Sequence, residues 1–361
     1  MAAFTAKPTM VIVHAADLHL DSPLRGLPCR EGDDLAAFQF ATRRTLKRLV
    51  DRCLAERAAL LLLCGDLLDA SNRDHKSGLF FVEQMQRLES IGTQVRFLRG
   101  NHDAASRIVR CWLLPDFVRE VGLDKPTTER FDHLGVVLHG AGYRERSISE
   151  NLLSGYPEPH SGYVNVGMLH TSAEGREGHE LYAPCTRRQL KARGYDYFAL
   201  GHVHRFEVLS TVPWVAFSGC LQGRNIREPG PRGAVVVSVE HQRVCEVSFV
   251  ALDVVRFDTL GVRLDSAGSL ESIQERINLA CRTRLGEPGP RAWVLRVMLS
   301  GTDGLCRLLS EPAARRTRLV RAALGTGSKT PVLLESIWAE VEGPLATHFR
   351  LDLPGEIAER R

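Results

Sequence analysis

Short apolar runs alternate with longer amphipathic segments along the first two-thirds of the chain. Runs of strand length occur at 10–16, 59–64 and 95–98, and the segments at about 34–57 and 75–91 carry apolar residues at helical spacing. Further strand-like runs follow at 136–140, 164–169, 197–200, 215–218, 234–239 and 244–252. This order of strands and helices predicts a layered α/β domain that ends near residue 253.

The pattern changes after about residue 254, where a β-α-β-α-β succession begins. Its candidate strands are 254–264, 293–299 and 332–338, and its candidate helices are 269–285 and 312–324. Glycine-rich or proline-rich stretches at 286–290 and 325–328 mark turns or loops between these elements. We therefore expect two domains, one over 1–253 and a smaller α+β domain over 254–361.

The composition is that of an ordinary globular protein. The chain has 361 residues, 44% of them hydrophobic and 25% charged, which excludes a mostly disordered chain, a collagen-like repeat and a coiled-coil rod. The formal net charge of +4 is compatible with nucleic-acid binding but is too small to indicate it. Nine scattered cysteines without a C-x-x-C pair argue against a secreted disulfide framework and a cysteine-rich zinc site.

Features of export or membrane insertion are missing from the sequence. The N-terminus lacks the apolar core and cleavage site of a signal peptide, and no run reaches the roughly 18 apolar residues that span a membrane. We expect a soluble cytoplasmic protein without a membrane partner, which is compatible with association with the nucleoid.

Polar motifs follow directly on several of the strand-like runs. They are Asp17-Leu-His19, Gly65-Asp66-Leu-Leu-Asp69, Gly100-Asn101-His102-Asp103, Leu169-His170 and Gly201-His202-Val-His204. Ligands of open α/β sheets bind at the carboxyl ends of the strands, which is where these motifs fall. Their Asp, Asn and His donors suit Mn, Fe or Zn, since they include no thiolate and too many imidazoles for Ca. A lone D-x-H is common by chance, but five such motifs in series are not.

Together these motifs resemble the calcineurin-like metallophosphoesterase superfamily. Residues 14–21, His-Ala-Ala-Asp-Leu-His-Leu-Asp, and residues 200–204, Leu-Gly-His-Val-His, resemble its DNA-repair exonuclease branch, the SbcD-like nuclease subunits. Residues 218–230 are similar to the bacterial YhaO-type subgroup. The resemblance covers roughly 10–255 well and the rest loosely. It implies a layered α/β/β/α metallophosphoesterase sandwich followed by a C-terminal capping domain that binds DNA.

The resemblance also implies a ligand set for two divalent metal ions. One ion would be held by Asp17, His19, Asp66 and His204, and the other by Asp66, Asn101, His170 and His202, so that Asp66 bridges the pair. Two cations about 3.5–4 Å apart need such a shared anion to clamp a phosphoryl group. We expect Mn²⁺, with Mg²⁺, Fe²⁺ or Zn²⁺ as alternatives.

Two further residues are candidates for catalysis. By resemblance, His102 contacts the scissile phosphate or protonates the leaving oxygen, which suits a cationic imidazole. Asp69 could orient His102. Many nucleases of the branch have His at this position, whereas protein phosphatases have Asp. The alternative for Asp69 is an N-cap of the following helix, and Asp103 is expected to cap a helix at 104–113.

Arginines near the last motif are candidates for contact with nucleic-acid phosphates. Arg224, Arg227 and Arg232 lie in a glycine- and proline-rich segment, where a solvated turn is the alternative interpretation. Arg315, Arg318 and Arg321 share a predicted helix face, for which a solvated surface is the commoner explanation.

The leading hypothesis is a metal-dependent DNA exonuclease or endonuclease that cuts DNA ends in repair. By resemblance its partners would be DNA, a coiled-coil SMC-like ATPase and a second copy of the chain. One alternative is a small-substrate phosphomonoesterase or cyclic-nucleotide phosphodiesterase. Another is a non-catalytic scaffold that binds DNA ends.

Overall fold

The computed structural model describes residues 10–27, 35–69, 74–106, 109, 112–123, 125–175, 182–285, 289–341 and 347–351. The chain divides into two compact units. The first comprises Met1–Ser22, Thr42–Gln222 and Arg232–Asp253, and the second comprises Pro23–Ala41, Gly223–Pro231 and Val254–Arg361. The division predicted at residue 253 would place 23–41 and 223–231 in the first domain, but the contacts of these two segments assign them to the second unit.

The first unit contains twelve strands in the part of the chain that the structure describes. They are β1 (Met10–Ala15), β2 (Leu60–Cys64), β3 (Gln94–Leu98), β4 (Val118–Glu120), β5 (Thr127–Phe131), β6 (Val136–Ala141), β7 (Val164–His170), β8 (Tyr197–Gly201), β9 (Glu207–Thr211), β10 (Trp214–Phe217), β11 (Gly233–Glu240) and β12 (Arg243–Ala251). Its helices are α1 (Ala41–Glu56), α2 (His75–Gln86), α3 (Asn101–Ala105) and α4 (Arg187–Ala192).

These strands form two six-stranded sheets. The first has the order β12-β11-β1-β2-β3-β4, in which β1 to β4 are parallel and β11 and β12 are antiparallel. The second has the order β5-β6-β7-β8-β10-β9, in which β5 and β9 are antiparallel edges of a parallel centre. The carboxyl ends of β1, β2 and β3 therefore share one edge, as do those of β6, β7 and β8.

Alternate residues of each strand enter different apolar cores. Ile12 and Leu62 pack against Met168 between the two sheets. Their neighbours Val13 and Leu61 pack on the other face against α1 and α2. On the far side of the second sheet, strands β7, β8 and β10 pack against α4. Because both faces of the central strands are covered, their sequences are continuous apolar runs. The layered α/β/β/α fold is confirmed.

The second unit is built on a four-stranded sheet with helices. Its strands are β13 (Val255–Arg263), β14 (Ala292–Ser300), β15 (Val332–Val341) and β16 (Thr347–Leu351), in that order, and its helices are α5 (Leu270–Leu285), α6 (Asp303–Ser310) and α7 (Ala313–Gly327). The first three strands are parallel and β16 is antiparallel. Ile277, Leu295 and Val320 bring α5, β14 and α7 into one core.

Some predicted elements have different bounds. The helix expected at 34–57 begins at Ala41, and the helix expected at 75–91 continues beyond Gln86 only as a 3₁₀ turn over Arg87–Ile91. The helix expected at 104–113 begins earlier, because α3 starts at Asn101, and it ends at Ala105, before the extended Ser106. Short elements were missed, namely β4, β5, β9, β16, α4 and α6. Over the described ranges, no helix combines the length and apolar character needed to cross a membrane.

Candidate metal centre

The residues predicted from the strand-end motifs lie close together in the first unit, at the edge formed by the carboxyl ends of its strands. Asp17 follows β1, Asp66 follows β2, Asn101 opens α3 after β3, and His170 is the last residue of β7. The backbone N–H of His202, just after β8, donates to the Asp17 carboxylate at 3.0 Å and so joins the two sheets. Parallel pairing within each sheet is what brings these strand ends together.

Several of these residues have a left-handed backbone that side chains rarely adopt. The φ angles are 51° at Asp17, 42° at His19, 54° at Asp66 and 99° at His202. Such conformations are unfavourable for residues with a Cβ atom, and they concentrate at functional sites. Backbone hydrogen bonds stabilise these conformations, since the N–H of Asp17 donates to the carbonyl of Gly65 and the N–H of His19 donates to the carbonyl of Asp66.

One group of converging ligand atoms consists of Asp17, His19 and His204, all within 4.8 Å of one another. Nε2 of His19 lies 3.3 Å from Nε2 of His204, which lies 3.8 Å from Oδ1 of Asp17. The Nδ1 atom of His19 is 2.6 Å from Oδ1 of Asp69. A carboxylate that accepts from one ring nitrogen turns the other toward a metal, as is usual in metal-binding histidines.

A second group consists of Asp17, Asp66 and His170. Nε2 of His170 lies 3.5 Å from Oδ2 of Asp66 and 3.1 Å from Oδ1 of Asn101. Nδ1 of His170 lies 2.9 Å from the carbonyl of Cys64, which can only accept. We therefore assign the proton to Nδ1, which leaves an Nε2 lone pair facing two oxygen acceptors. Such a cluster of acceptors fits a bound cation.

The pKa values of Asp66 and Asp103 are shifted in opposite directions. Burial alone would raise the pKa of Asp66, but the nearby imidazoles, His170 first, together with the N–H of His102 lower it overall. For Asp103, burial and the charge of Asp66 raise the pKa to about 7. Asp66 is thus a carboxylate anion at neutral pH, the form that a metal ligand requires.

Asp103 caps a helix, as expected, and also links two loops. It lies inside α3, and its carboxylate accepts from the backbone N–H groups of Gly100, Leu67 and Leu68 at 3.0–3.1 Å. The bond from Gly100 N–H caps the start of α3, so the predicted helix cap is present, although the helix begins at Asn101 and not at 104. The same carboxylate also joins the loop that follows β2 to the loop that follows β3.

Within the described part of the chain, the two groups account for most of the predicted ligands. Asp17 is the carboxylate common to both groups, whereas the resemblance assigned the bridge to Asp66, its neighbour in the second group. His202 belongs to neither group. Its ring lies edge-on to that of His170, with centroids 5.2 Å apart. The division of ligands between two ions stays a prediction.

His102 and Asp69 lie together beside the first group. Nδ1 of His102 is 3.5 Å from Oδ1 of Asp69, and the His102 side chain is 37% exposed. Asp69 also accepts from the hydroxyl of Ser22. The helix-capping alternative for Asp69 is wrong, because α2 is capped by Asp74. Asp69 thus contacts both a predicted ligand and the predicted catalytic histidine.

The three candidate DNA-binding arginines have different surroundings. Arg224 is paired with Glu228 at 3.3 Å, and both residues lie in the second unit. Arg232, in the first unit, is buried and donates to the carbonyl of His204. Arg227 is exposed on the second unit. This arrangement favours a phosphate contact only for Arg227, and that contact stays a prediction.

Two tyrosines of the centre were missed by the sequence analysis. The ring of Tyr143 is edge-on to His170, with centroids 5.5 Å apart, and that of Tyr182 is edge-on to His202 at 5.6 Å. Burial, then the negative charges of Asp66 and of other neighbours, raise the pKa of Tyr143. The position of Tyr143 just after β6 could have pointed to the centre, but a single aromatic residue in a loop forms no recognisable sequence motif.

Comparisons with known proteins place the chain in a family. The family model described as calcineurin-like phosphoesterase matches residues 10–206. The chain is 30% identical over 325 residues to the uncharacterized metallophosphoesterase YhaO of Bacillus subtilis, covering 86% of this chain and 80% of that protein. It is 24% identical over 205 residues to the DNA double-strand break repair protein Mre11 of Saccharolobus solfataricus, covering 54% and 49% respectively. A solved dimetal phosphatase from Danio rerio is 11% identical with a TM-score of 0.36, covering 68% of this chain and 100% of that one.

Proposed function

Since this chain belongs to the calcineurin-like phosphoesterase family, we propose that it is a nuclease that hydrolyses phosphodiester bonds of DNA with two divalent metal ions. The metallophosphoesterase class follows from the family itself. The observation that supports the mechanism is the convergence of Asp17, Asp66 and His170 beside the group of Asp17, His19 and His204.

The donors present fit the implied ions. Carboxylate, amide and imidazole ligand atoms converge within a few ångströms of one another, and a cation among them would relieve the mutual repulsion of their lone pairs. Bound divalent ions would supply charge neutralisation at the phosphoryl group and a water acidic enough to attack near neutral pH. Among candidate ions we propose Mn²⁺.

His102 is proposed to move the proton. Its partly exposed ring can reach a substrate, and the carboxylate of Asp69 lies 3.5 Å from Nδ1, where it can orient the ring. A proton held on Nε2 could then pass to the leaving oxygen as the phosphodiester bond breaks. Asp69 contributes by orienting the ring and not by contact with the substrate.

The DNA substrate is the finer part of the proposal. It is supported by the similarity to Mre11, which is named as a DNA double-strand break repair protein, and by the exposure of Arg227. We further propose that the second unit binds DNA and that the protein works with a second copy and an SMC-like ATPase.

A second candidate function is favoured by one observation. The carboxylate of Asp69 lies 3.5 Å from Nδ1 of His102, and the resemblance associates an aspartate at this position with phosphatases. The alternative is therefore hydrolysis of small phosphate esters or diesters at the same centre.

The deciding experiment compares two substrates. End-labelled linear duplex DNA and a small aryl phosphodiester are each incubated with the purified protein, with Mn²⁺ or with a chelator. Asp66→Ala should abolish hydrolysis, His102→Asn should reduce it while leaving DNA binding intact, and His133→Asn, on an exposed residue, should have no effect. Cleavage of the aryl diester without cleavage of DNA would contradict the nuclease proposal, and DNA cleavage that survives Asp66→Ala would contradict the mechanism.

A further inference from the structure

Tyr143 is a buried residue of the candidate metal centre that has no role in the mechanism above. It lies two residues beyond the end of β6, next to the strand that ends in His170. Its backbone N–H donates to the carbonyl of Arg99 at 2.9 Å, just before the loop that carries Asn101. The tyrosine is 0% exposed. Its backbone is therefore attached to both sheets at the edge where the ligands gather.

Aromatic contacts fix the orientation of the Tyr143 ring. Its plane is at 88° to that of His170, an edge-on arrangement that aromatic rings favour. On another side it meets the ring of Tyr182 at a centroid distance of 6.5 Å. These contacts restrict the rotation of Tyr143 and, in turn, that of the His170 imidazole.

The Tyr143 hydroxyl has no hydrogen-bond partner among the residues that the structure describes. By contrast, the buried hydroxyl of Tyr156 in the same unit donates to the carbonyl of Met168. Leaving a buried hydroxyl unbonded is as unfavourable as losing a hydrogen bond, so such a group normally has a ligand or a water for a partner. The carboxylates of Asp66 and Asp17 are close enough for their charges to act on this hydroxyl.

We propose that the Tyr143 hydroxyl donates a hydrogen bond to an anionic oxygen that binds beside Asp66 and His170. That oxygen comes either from solvent or from the phosphoryl group of a substrate. The inference rests on the proposed phosphoesterase function and extends it. Tyr143 is a positioning residue, since it keeps its proton and forms no covalent bond.

The test removes only the hydroxyl, by Tyr143→Phe, with Tyr156→Phe as the matched control. Melting temperatures are measured with a chelator, with Mn²⁺, and with Mn²⁺ plus inorganic phosphate. In the chelated protein Tyr143→Phe should leave the melting temperature unchanged or raise it by about 2–4 °C, since the lost hydroxyl was unbonded. Tyr156→Phe should lower it under all three conditions, because it loses a formed hydrogen bond.

The response to ligands distinguishes the two sources of the oxygen. If Mn²⁺ alone stabilises Tyr143→Phe less than the wild type, the oxygen comes from solvent. If only added phosphate shows the difference, it belongs to the phosphoryl group. In either case kcat/KM for the aryl phosphodiester should fall about tenfold or more, mainly through kcat.

Two results would overturn the inference. One is a lower melting temperature of chelated Tyr143→Phe, which would show that the hydroxyl serves the fold. The other is a response to Mn²⁺ and to phosphate equal to that of the wild type. If the wild type itself does not respond to Mn²⁺, the proposed function fails, and the inference fails with it.

Discussion

His14 gives a quantitative test of how burial controls ionisation in the first unit. It is fully buried in β1, beside the strands that carry the metal centre. Its Nδ1 atom lies 2.8 Å from the hydroxyl of Tyr197, and its Nε2 atom lies 3.2 Å from the carbonyl of Leu200. We infer a neutral ring that accepts at Nδ1 and donates at Nε2. Burial lowers the pKa of His14 from 6.5 to about 3, despite the carbonyl contact.

The lowered pKa of His14 makes the free energy of unfolding decrease as the pH falls. Between pH 3 and 6.5 the unfolded chain binds a proton at His14 that the folded protein does not bind. The stabilisation from this group is therefore present above pH 6.5 and is lost as the pH falls. The loss is about 1.4 kcal/mol per pH unit, or roughly 2 kcal/mol between pH 6.5 and pH 5.

The perturbation is His14→Phe, which removes the titrating group but keeps an aromatic ring. At pH 8 the variant should be less stable by about 2–4 kcal/mol, because Tyr197 and Leu200 each lose a hydrogen-bond partner. At pH 5 this difference should be smaller by roughly 2 kcal/mol, because only the wild type has lost the contribution of His14.

The assay is urea unfolding at pH 8, 6.5 and 5 in the presence of a chelator, which removes metal binding from the comparison. Tyr197→Phe is the control, since it removes one hydrogen bond and keeps His14, so its effect should be nearly independent of pH. An equal effect of His14→Phe at pH 8 and pH 5 would refute the assignment of a buried neutral imidazole.

The metal centre and the second unit give three further predictions. Asp69→Asn should weaken Mn²⁺ binding by about 10–100-fold in calorimetry, because the carboxylate orients His19; unchanged affinity would contradict that role. Gly201→Ala should destabilise the protein by about 1–3 kcal/mol in thermal unfolding, because the new Cβ atom would lie 1.9 Å from a carbonyl oxygen of β2. Gly261→Ala is the control and should be tolerated, because a Cβ atom there has no other atom within 4 Å. In a plot of the logarithm of the DNA-binding constant against the logarithm of the salt concentration, Arg227→Ala should make the slope less steep by about one unit. The melting temperature should not fall, and an unchanged slope would exclude a phosphate contact.

The clustering of most candidate ligands could be predicted from the sequence because each of them belongs to a local motif. Each motif follows or ends an apolar run, so the carboxyl end of a strand is recognisable without tertiary structure. The capping interpretation of Asp69 failed for the opposite reason, and that of Asp103 missed two of its three hydrogen bonds. Their carboxylates bond to groups 50 and 35 positions away in the chain, which local spacing does not reveal.

Local sequence patterns could not predict which segments of the chain form the second unit. Residues 23–41 and 223–231 are separated from 254–361 in sequence, and they join that unit only through tertiary contacts. In its core, Phe38 and Ile226 pack with Phe257 and Val294. Such non-local packing leaves no periodicity in the linear sequence, so a division at a single residue could not predict it.

The backbone of the candidate metal centre is held in strained conformations by the fold itself. Left-handed conformations at non-glycine residues cost roughly 1–2 kcal/mol each, and Asp17, His19 and Asp66 all adopt them. The strand pairing of β1 with β2 and the carboxylate of Asp103 hold these conformations through bonds that involve no ligand. The folding of the sandwich therefore balances the backbone strain at these three residues.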